Sequence, residues 1–107
     1  MPARYHWDPE CYVRAYKYAA IAHAGQLVPG TDISYLMHLG LVSMELLNAF
    51  QQSDLGPEEM DLGIQCALLH DTLEDTATSH EDLEAAFGSQ VAAGVRCLVV
   101  PGSARVR

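Results

Sequence analysis

The sequence is poor in basic residues: its 107 positions hold 6 lysines and arginines against 14 aspartates and glutamates. The formal net charge is therefore −8 with histidine neutral. Proteins that bind nucleic acid or anionic membranes without a bridging cation need basic patches. The charge balance argues against both kinds of partner. It is compatible with an anionic small molecule if a metal cation lies between that molecule and the protein.

Cysteines are also few, and their spacing argues against two kinds of small scaffold. The three stand at positions 11, 66 and 97, an odd number without a Cys-x-x-Cys pair. Neither a disulfide framework nor a cysteine-rich zinc site is indicated, and reduced surroundings fit best. No apolar run approaches the ~18 residues of a membrane span, and the opening residues lack the apolar stretch of a signal peptide. We therefore expect a cytoplasmic protein.

What the sequence does contain is a folded, helical domain. Half of its residues are hydrophobic and 19% are charged, and a chain of this length supports one core. Apolar residues recur at three- and four-residue spacings, and no segment shows convincing alternation with period two. Asp8-Pro9-Glu10 and Pro57-Glu58-Glu59 have the composition of helix starts. Residues 1–107 are therefore predicted to form a single all-α domain, a bundle of about five helices.

Other helix boundaries and core positions follow from shorter signals. Thr31 or Asp32 is expected to cap the second helix, and Thr78 with Glu81 has capping-box spacing. The last helix is expected to run through Leu98 and Val99. Three further residues, Cys66, Met37 and Met44, are expected in the core.

The stretch CALLHDTLEDT, from Cys66 to Thr76, concentrates groups that can ligate a metal or move a proton. On a continuous helix, residues 70 and 74 and residues 71 and 75 are neighbours at i and i+4, which makes one acidic patch at the helix's C-terminal end. Carboxylates are unfavourable there, because they repel one another and meet the negative end of the helix dipole. A divalent cation would compensate. The adjacent His70 and Asp71 can both reach one ion if the helix distorts or ends between them.

A second imidazole would improve such a site, and His38 in the preceding helix is the best candidate. Each feature also has an ordinary explanation. An acidic helix end is usually a solvated face, and histidines in apolar helices, such as His23 and His38, are more often hydrogen-bonded core residues than ligands. The combination of an apolar run, a His-Asp pair, a carboxylate pair one turn later and an upstream histidine favours a metal site.

The stretch ALLHDTLEDT resembles the signature of the HD-superfamily metal-dependent phosphohydrolases, and within them that of the RelA/SpoT-type (p)ppGpp hydrolases. Two other stretches are similar to this family in the same order. One is AAIAHAGQLVPGTDISYLMHLGLVSMELL, with a His-x-x-Gln element and a counterpart of the family's Tyr-Ile-x-His-Pro element. The other is EDLEAAFGSQVAAGV, where Phe-Gly precedes a helix. Together they cover about residues 12 to 99.

The resemblance implies an HD-type helical domain that holds one divalent ion, most often Mn²⁺. The positions that match the family's metal ligands are His38, His70 and Asp71. Glu74 and Asp75 match the pair that places or deprotonates the attacking water, and Tyr35 is a further candidate for a substrate contact. The implied activity is hydrolysis of a nucleotide or related phosphoester, as in guanosine polyphosphate (ppGpp) 3′-pyrophosphohydrolases.

Departures from the family pattern keep alternatives open. Leu27 and Val28 stand where the family usually carries basic residues that contact the nucleotide, and Leu39 replaces a proline. The family's last metal-ligating aspartate follows Phe-Gly by some tens of residues, whereas this sequence has no aspartate after Asp82. The domain is therefore expected to be incomplete at its C-terminus relative to the family.

Water or a neighbouring subunit could replace that ligand. A homo-oligomer is one expectation, formed through the apolar residues Leu98, Val99 and Val100. The alternative function is a catalytically inactive HD-fold module that still binds metal or nucleotide. A third reading is a structural helical bundle whose acidic patch is solvated.

Overall fold

The computed structural model of the chain describes residues 8–97. Within this range the helices are α1 (Pro9–Ala22), α2 (Tyr35–Phe50), α3 (Pro57–Leu69), α4 (Thr72–Asp75), α5 (His80–Phe87) and α6 (Ser89–Cys97). The all-α prediction is confirmed. Five of these segments are helices of eight residues or more, and α4 is a single turn. None of the helices described between residues 8 and 97 is long and apolar enough to cross a membrane.

The two proline-containing helix starts lie where the sequence predicts them. The Asp8 carboxylate accepts a hydrogen bond from the backbone N–H of Glu10 at 2.9 Å, so Asp8 caps α1 with Pro9 next to it. At the start of α3 the Glu59 carboxylate accepts from the N–H of Gly56, also at 2.9 Å. These bonds satisfy backbone donors that have no partner inside the helix.

Two predicted caps are wrong. Ser34 caps α2, since its hydroxyl accepts from the N–H of Leu36 at 3.2 Å. The hydroxyl of Thr31 is instead used inside the preceding loop, where it donates to the carbonyl of Val28. Ser79, paired reciprocally with Asp82, caps α5 in place of Thr78 and Glu81. Serine and threonine compete for caps and turns with the same hydroxyl chemistry, so neighbouring hydroxyls are hard to rank from sequence.

α3 is the central helix, and it packs against α1, α2 and α6. Its side chains Ile64, Leu68 and Leu69 are fully buried, and Cys66 is buried as predicted. Met37 and Met44 are exposed, in contrast to the prediction. They share one face of α2, whereas Tyr35, Leu39 and Ser43 on another face are buried.

The predicted continuation of the last helix and the predicted contact surface between subunits involve Leu98, Val99 and Val100, which lie outside the described residues.

Candidate metal centre

The helix that leads into the His-Asp pair ends at that pair. Leu69 is the last residue of α3 and Thr72 the first of α4, so His70 and Asp71 form the junction. His70 Nδ1 donates to the carbonyl of Ala67 at 2.6 Å, and the Thr72 hydroxyl donates to that of Leu69 at 2.7 Å. These two side chains thus form hydrogen bonds with carbonyls at the end of α3 that would otherwise lack a partner in the helix. The expected i and i+4 patch on a continuous helix is therefore wrong. The helix ends at His70 and Asp71, which is the condition under which the sequence allowed both residues to reach one ion.

The junction lies beside the first turn of α2, where His38 is located. One potential ligand atom from each of His38, His70 and Asp71 lies within 4.8 Å of the other two. The rings of His38 and His70 have centroids 5.9 Å apart. Asp71 is buried, and both histidines are half-buried. The three predicted metal ligands are thus brought together, His38 from α2 and the adjacent His70 and Asp71 from the junction between α3 and α4.

The orientation of His70 suits a metal ligand. Because its Nδ1–H is bound to a backbone carbonyl, Nε2 is the nitrogen that faces Asp71, and it lies 3.1 Å from Asp71 Oδ2. A metal-ligating histidine commonly donates its other ring N–H to a carbonyl or carboxylate, which fixes the tautomer and the ring. In the neutral tautomer both facing atoms are acceptors, so a proton or a metal ion between them makes their closeness favourable. Two imidazoles and a carboxylate form a donor set that suits several divalent transition metals.

Tyr35 supports this cluster from the start of α2. Its hydroxyl donates to Asp71 Oδ2. Its ring contacts His38, with centroids 5.1 Å apart, and stacks on His23 at 4.3 Å. The structure therefore places Tyr35 against a candidate metal ligand, while Tyr35 also lines the adjoining cavity.

That cavity has a volume of about 700 Å³, within the range of small-molecule sites. Its polar lining residues include Tyr35, His38, Asp71 and Asp75, and its apolar lining residues are Leu27, Val28 and Pro29. The residues that depart from the family pattern after Gln26 thus face the same space as the candidate ligands.

The structure separates the two candidate catalytic carboxylates. Both belong to α4, but Asp75 lines the cavity, whereas Glu74 is not among the described residues around it. Glu74 is half-buried and Asp75 is exposed. Of the pair, Asp75 is the one with direct access to a molecule in the cavity.

Sequence reasoning gave no role to Gln26. Its side-chain Nε2 donates to the backbone carbonyl of Asp75 at 2.9 Å, and its Oε1 lies 2.8 Å from Nδ1 of His23. Gln26 also lines the cavity. The signal that could have found it was the His-x-x-Gln element itself, but its partner lies 49 positions away.

Comparison with known proteins gives relatives of one kind, while no family model matches the chain. A GTP pyrophosphokinase of Myxococcus xanthus is 38% identical over 93 residues, which are 84% of this chain and 11% of that protein. A guanosine-3′,5′-bis(diphosphate) 3′-pyrophosphohydrolase of Aquifex aeolicus is 38% identical over 79 residues, 74% of this chain and 10% of that protein. The guanosine-3′,5′-bis(diphosphate) 3′-pyrophosphohydrolase MESH1 of Danio rerio is 66% identical over 29 residues, 27% of this chain and 16% of that protein. The chain spans between 10% and 16% of the length of these relatives.

Proposed function

We propose that this chain, a relative of the RelA/SpoT-type enzymes, is a metal-dependent phosphohydrolase that acts on a nucleotide or a related phosphoester. The observation that carries the proposal is the grouping of His38, His70 and Asp71, whose potential ligand atoms lie within 4.8 Å of one another. The adjoining cavity of about 700 Å³ has room for a small molecule. Two of the relatives are named for hydrolysis of guanosine-3′,5′-bis(diphosphate), so that nucleotide is the first substrate to try.

In this proposal His38, His70 and Asp71 would hold one divalent ion, with Mn²⁺ as the expected metal. The ion would lower the pKa of water and offset phosphate charge. Asp75, which lines the same cavity, accepts the proton from the attacking water. Glu74, the other carboxylate that the resemblance assigns to the attacking water, does not line the cavity among the described residues, so its role stays a prediction from the sequence. The Tyr35 hydroxyl holds the Asp71 carboxylate, and the carbonyl of Ala67 holds the His70 ring. A cytoplasmic location and a homo-oligomer stay predictions from the sequence.

A catalytically inactive HD-fold module that binds metal or nucleotide is the alternative. It is favoured by the cavity wall of Leu27, Val28 and Pro29, because these side chains can contact an apolar group but cannot pair with phosphate oxygens.

The first test is titration of the full chain with Mn²⁺ by calorimetry, alongside the His70→Ala variant. Binding of about one ion per chain in the wild type, lost in the variant, is expected from the ligand set. His80→Ala is the matched control, since His80 lies at the start of α5 and is not part of the cluster. Absence of binding to the wild type would remove both the hydrolase and the metal-binding alternative.

The second step is release of pyrophosphate from guanosine-3′,5′-bis(diphosphate) by the Mn²⁺-loaded protein and by Asp75→Asn. A proton acceptor typically contributes a factor of about 10² to 10⁴, so a loss of that size with metal binding retained supports hydrolysis. Metal binding without turnover of this nucleotide or of a panel of simpler phosphoesters would favour the inactive module.

A further inference from the structure

Gln26 connects three parts of the chain that approach the candidate metal centre. Its side chain reaches the carbonyl of Asp75 in α4 and Nδ1 of His23 at the end of α1. Its backbone carbonyl accepts from the N–H of Tyr35 at 2.9 Å, at the start of α2. Its own N–H donates to the carbonyl of His23, again at 2.9 Å. Every polar group of this residue therefore has a protein partner.

The hydrogen bonds assign the orientation of both side chains. The carbonyl of Asp75 only accepts, so the group of Gln26 that faces it at 2.9 Å is the donor Nε2. The remaining oxygen, Oε1, only accepts, so His23 Nδ1 must carry the proton it shares. His23 is 2% exposed and stacks on Tyr35. The donor chain thus runs in one direction, from His23 through Gln26 to Asp75.

α4 needs such an external anchor. It is a single turn, closed by the bonds from the N–H of Asp75 to the carbonyl of Asp71 and from the N–H of Thr76 to that of Thr72. One turn fixes several backbone dihedrals for very few hydrogen bonds and is unstable by itself. The bond from Gln26 falls on the last residue of this turn, the residue that faces the cavity.

We propose that Gln26, held by His23, is a positioning residue that fixes the α4 turn, and with it Asp75, relative to the metal cluster. The same pair reaches the cluster a second way, since His23 stacks on Tyr35 and Tyr35 donates to Asp71. The pair therefore sets the distance between the proton acceptor and the ion-binding atoms. The catalytic part of this inference rests on the proposed function, whereas its structural part does not.

The test uses Gln26→Met, which keeps the side-chain length and removes both polar atoms. The matched control is Gln65→Met, because Gln65 Nε2 also donates to a backbone carbonyl at 2.9 Å, that of Asp61, and Gln65 does not line the cavity with the cluster among the described residues. The first readout is amide hydrogen exchange of Asp75 and Thr76 by NMR. It should rise about 5-fold or more in Gln26→Met and stay within about 2-fold in Gln65→Met, because only the first variant releases the turn.

The second readout is hydrolysis of guanosine-3′,5′-bis(diphosphate) by the Mn²⁺-loaded protein. Misplacing a catalytic group by about 1 Å costs up to about 100-fold, so kcat should fall about 10- to 100-fold in Gln26→Met. KM and Mn²⁺ affinity should stay within about 3-fold, since the ligand atoms are not altered. His23→Asn, whose amide can still donate to Gln26 Oε1, should retain most of kcat, and His23→Leu should not.

The outcomes separate the two proposals. A wild type that binds Mn²⁺ but turns over nothing contradicts the proposed function, and the exchange rates then decide the positioning role alone. Unchanged exchange at Asp75 and Thr76 in Gln26→Met overturns that role whatever the activity. Faster exchange in an active protein with unchanged kcat overturns it as well, because the bond would then serve only stability.

Discussion

His23 and His38 contact the same tyrosine ring, yet they occupy different chemical settings. His23 lies at the end of α1, is 2% exposed and donates a hydrogen bond from Nδ1 to the amide oxygen of Gln26. His38 lies in the first turn of α2, half-buried, with a ring nitrogen in the cluster formed with His70 and Asp71. Sequence reasoning named His38 as the candidate second metal ligand, and it gave both residues the same ordinary explanation as core histidines.

The difference between them lies in the groups that meet each ring. The amide oxygen of Gln26 accepts a hydrogen bond from the Nδ1–H of His23, which fixes the tautomer of that imidazole. A carboxylate and a second imidazole lie beside His38, and together the three residues form a donor set that can share a metal cation. Burial alone would rank His23 as the more specialised residue, so the neighbouring donors and acceptors are the better guide to function.

The largest expected effect is the difference in Mn²⁺ affinity between a variant of His38 and a variant of His23. His38→Ala removes one of the three proposed protein ligands. Because even a supporting residue of a metal site is worth about 10- to 100-fold in affinity, we expect a loss above about 100-fold. His23→Asn should change Mn²⁺ affinity by less than about 3-fold, since its effect is indirect. Calorimetric titration of both variants measures this contrast. Equal losses would mean that the two histidines do not differ in role.

A smaller effect is expected where the two settings meet, at Tyr35. Tyr35→Phe keeps the ring that contacts both histidines and removes the hydroxyl that donates to Asp71. Mn²⁺ affinity should fall about 10-fold, because the partners that orient metal ligands have effects of this size. Tyr16→Phe is the control: the Tyr16 hydroxyl donates to the carbonyl of Leu36 at 3.1 Å and does not touch the cluster. An equal fall in Mn²⁺ affinity in Tyr16→Phe would mean that the loss comes from a general weakening of the helix packing.

A third comparison leaves both histidines unchanged and alters only the packing of the core. A Cβ added at Gly94 in α6 would lie 2.5 Å from Sγ of Cys66, whereas one at Gly63 in α3 meets Phe50 at an ordinary 3.6 Å. Gly94→Ala should lower the free energy of unfolding by about 1–3 kcal/mol through overpacking. Gly63→Ala should raise it by up to about 1 kcal/mol, as alanine is the better helix former.

Chemical denaturation measures both glycine variants, and Mn²⁺ titration follows on the folded protein. If Gly94→Ala weakens the metal affinity of the folded protein as much as Tyr35→Phe does, then the cluster depends on core packing in general. The contrast between His23 and His38 could then not be explained by the groups next to each ring.

The sequence predicted what is local, together with the cluster that its motif implied. The starts of α1 and α3 follow from proline and acidic residues within one turn, and these were correct. The exact caps at Ser34 and Ser79 were missed, because hydroxyls of similar chemistry stand within three residues of each. Met37 and Met44 were predicted in the core but are exposed, because an apolar residue does not by itself show which face of α2 it occupies.

The break between α3 and α4 was left open, because it depends on whether the side chains of His70 and Thr72 bond back to the carbonyls of α3. The His-x-x-Gln element marks Gln26, but the contact of its side chain with α4 could not be predicted. Its partner Asp75 is 49 positions away, and only the packing of the folded chain brings them together. Local chemistry thus gives the elements and the candidate ligands, whereas the residues that hold them in register require the structure.

The smallest expected effect concerns pH, and it tests whether the core and the cluster respond separately. Burial, followed by the charge of Cys97, raises the pKa of the Cys66 thiol above its ordinary value of 9.0. The folded state therefore favours the neutral thiol. This contribution is fully present below pH 9.0 and is lost as the pH rises through the higher pKa of the folded state. The free energy of unfolding should thus decline above that pH, and less steeply in Cys66→Ala. An equal decline in the free energy of unfolding of both proteins would show that another group is responsible. NMR can follow the ring contacts of His38 over the same pH interval. Their loss there would show that the cluster and the core respond to pH as one unit.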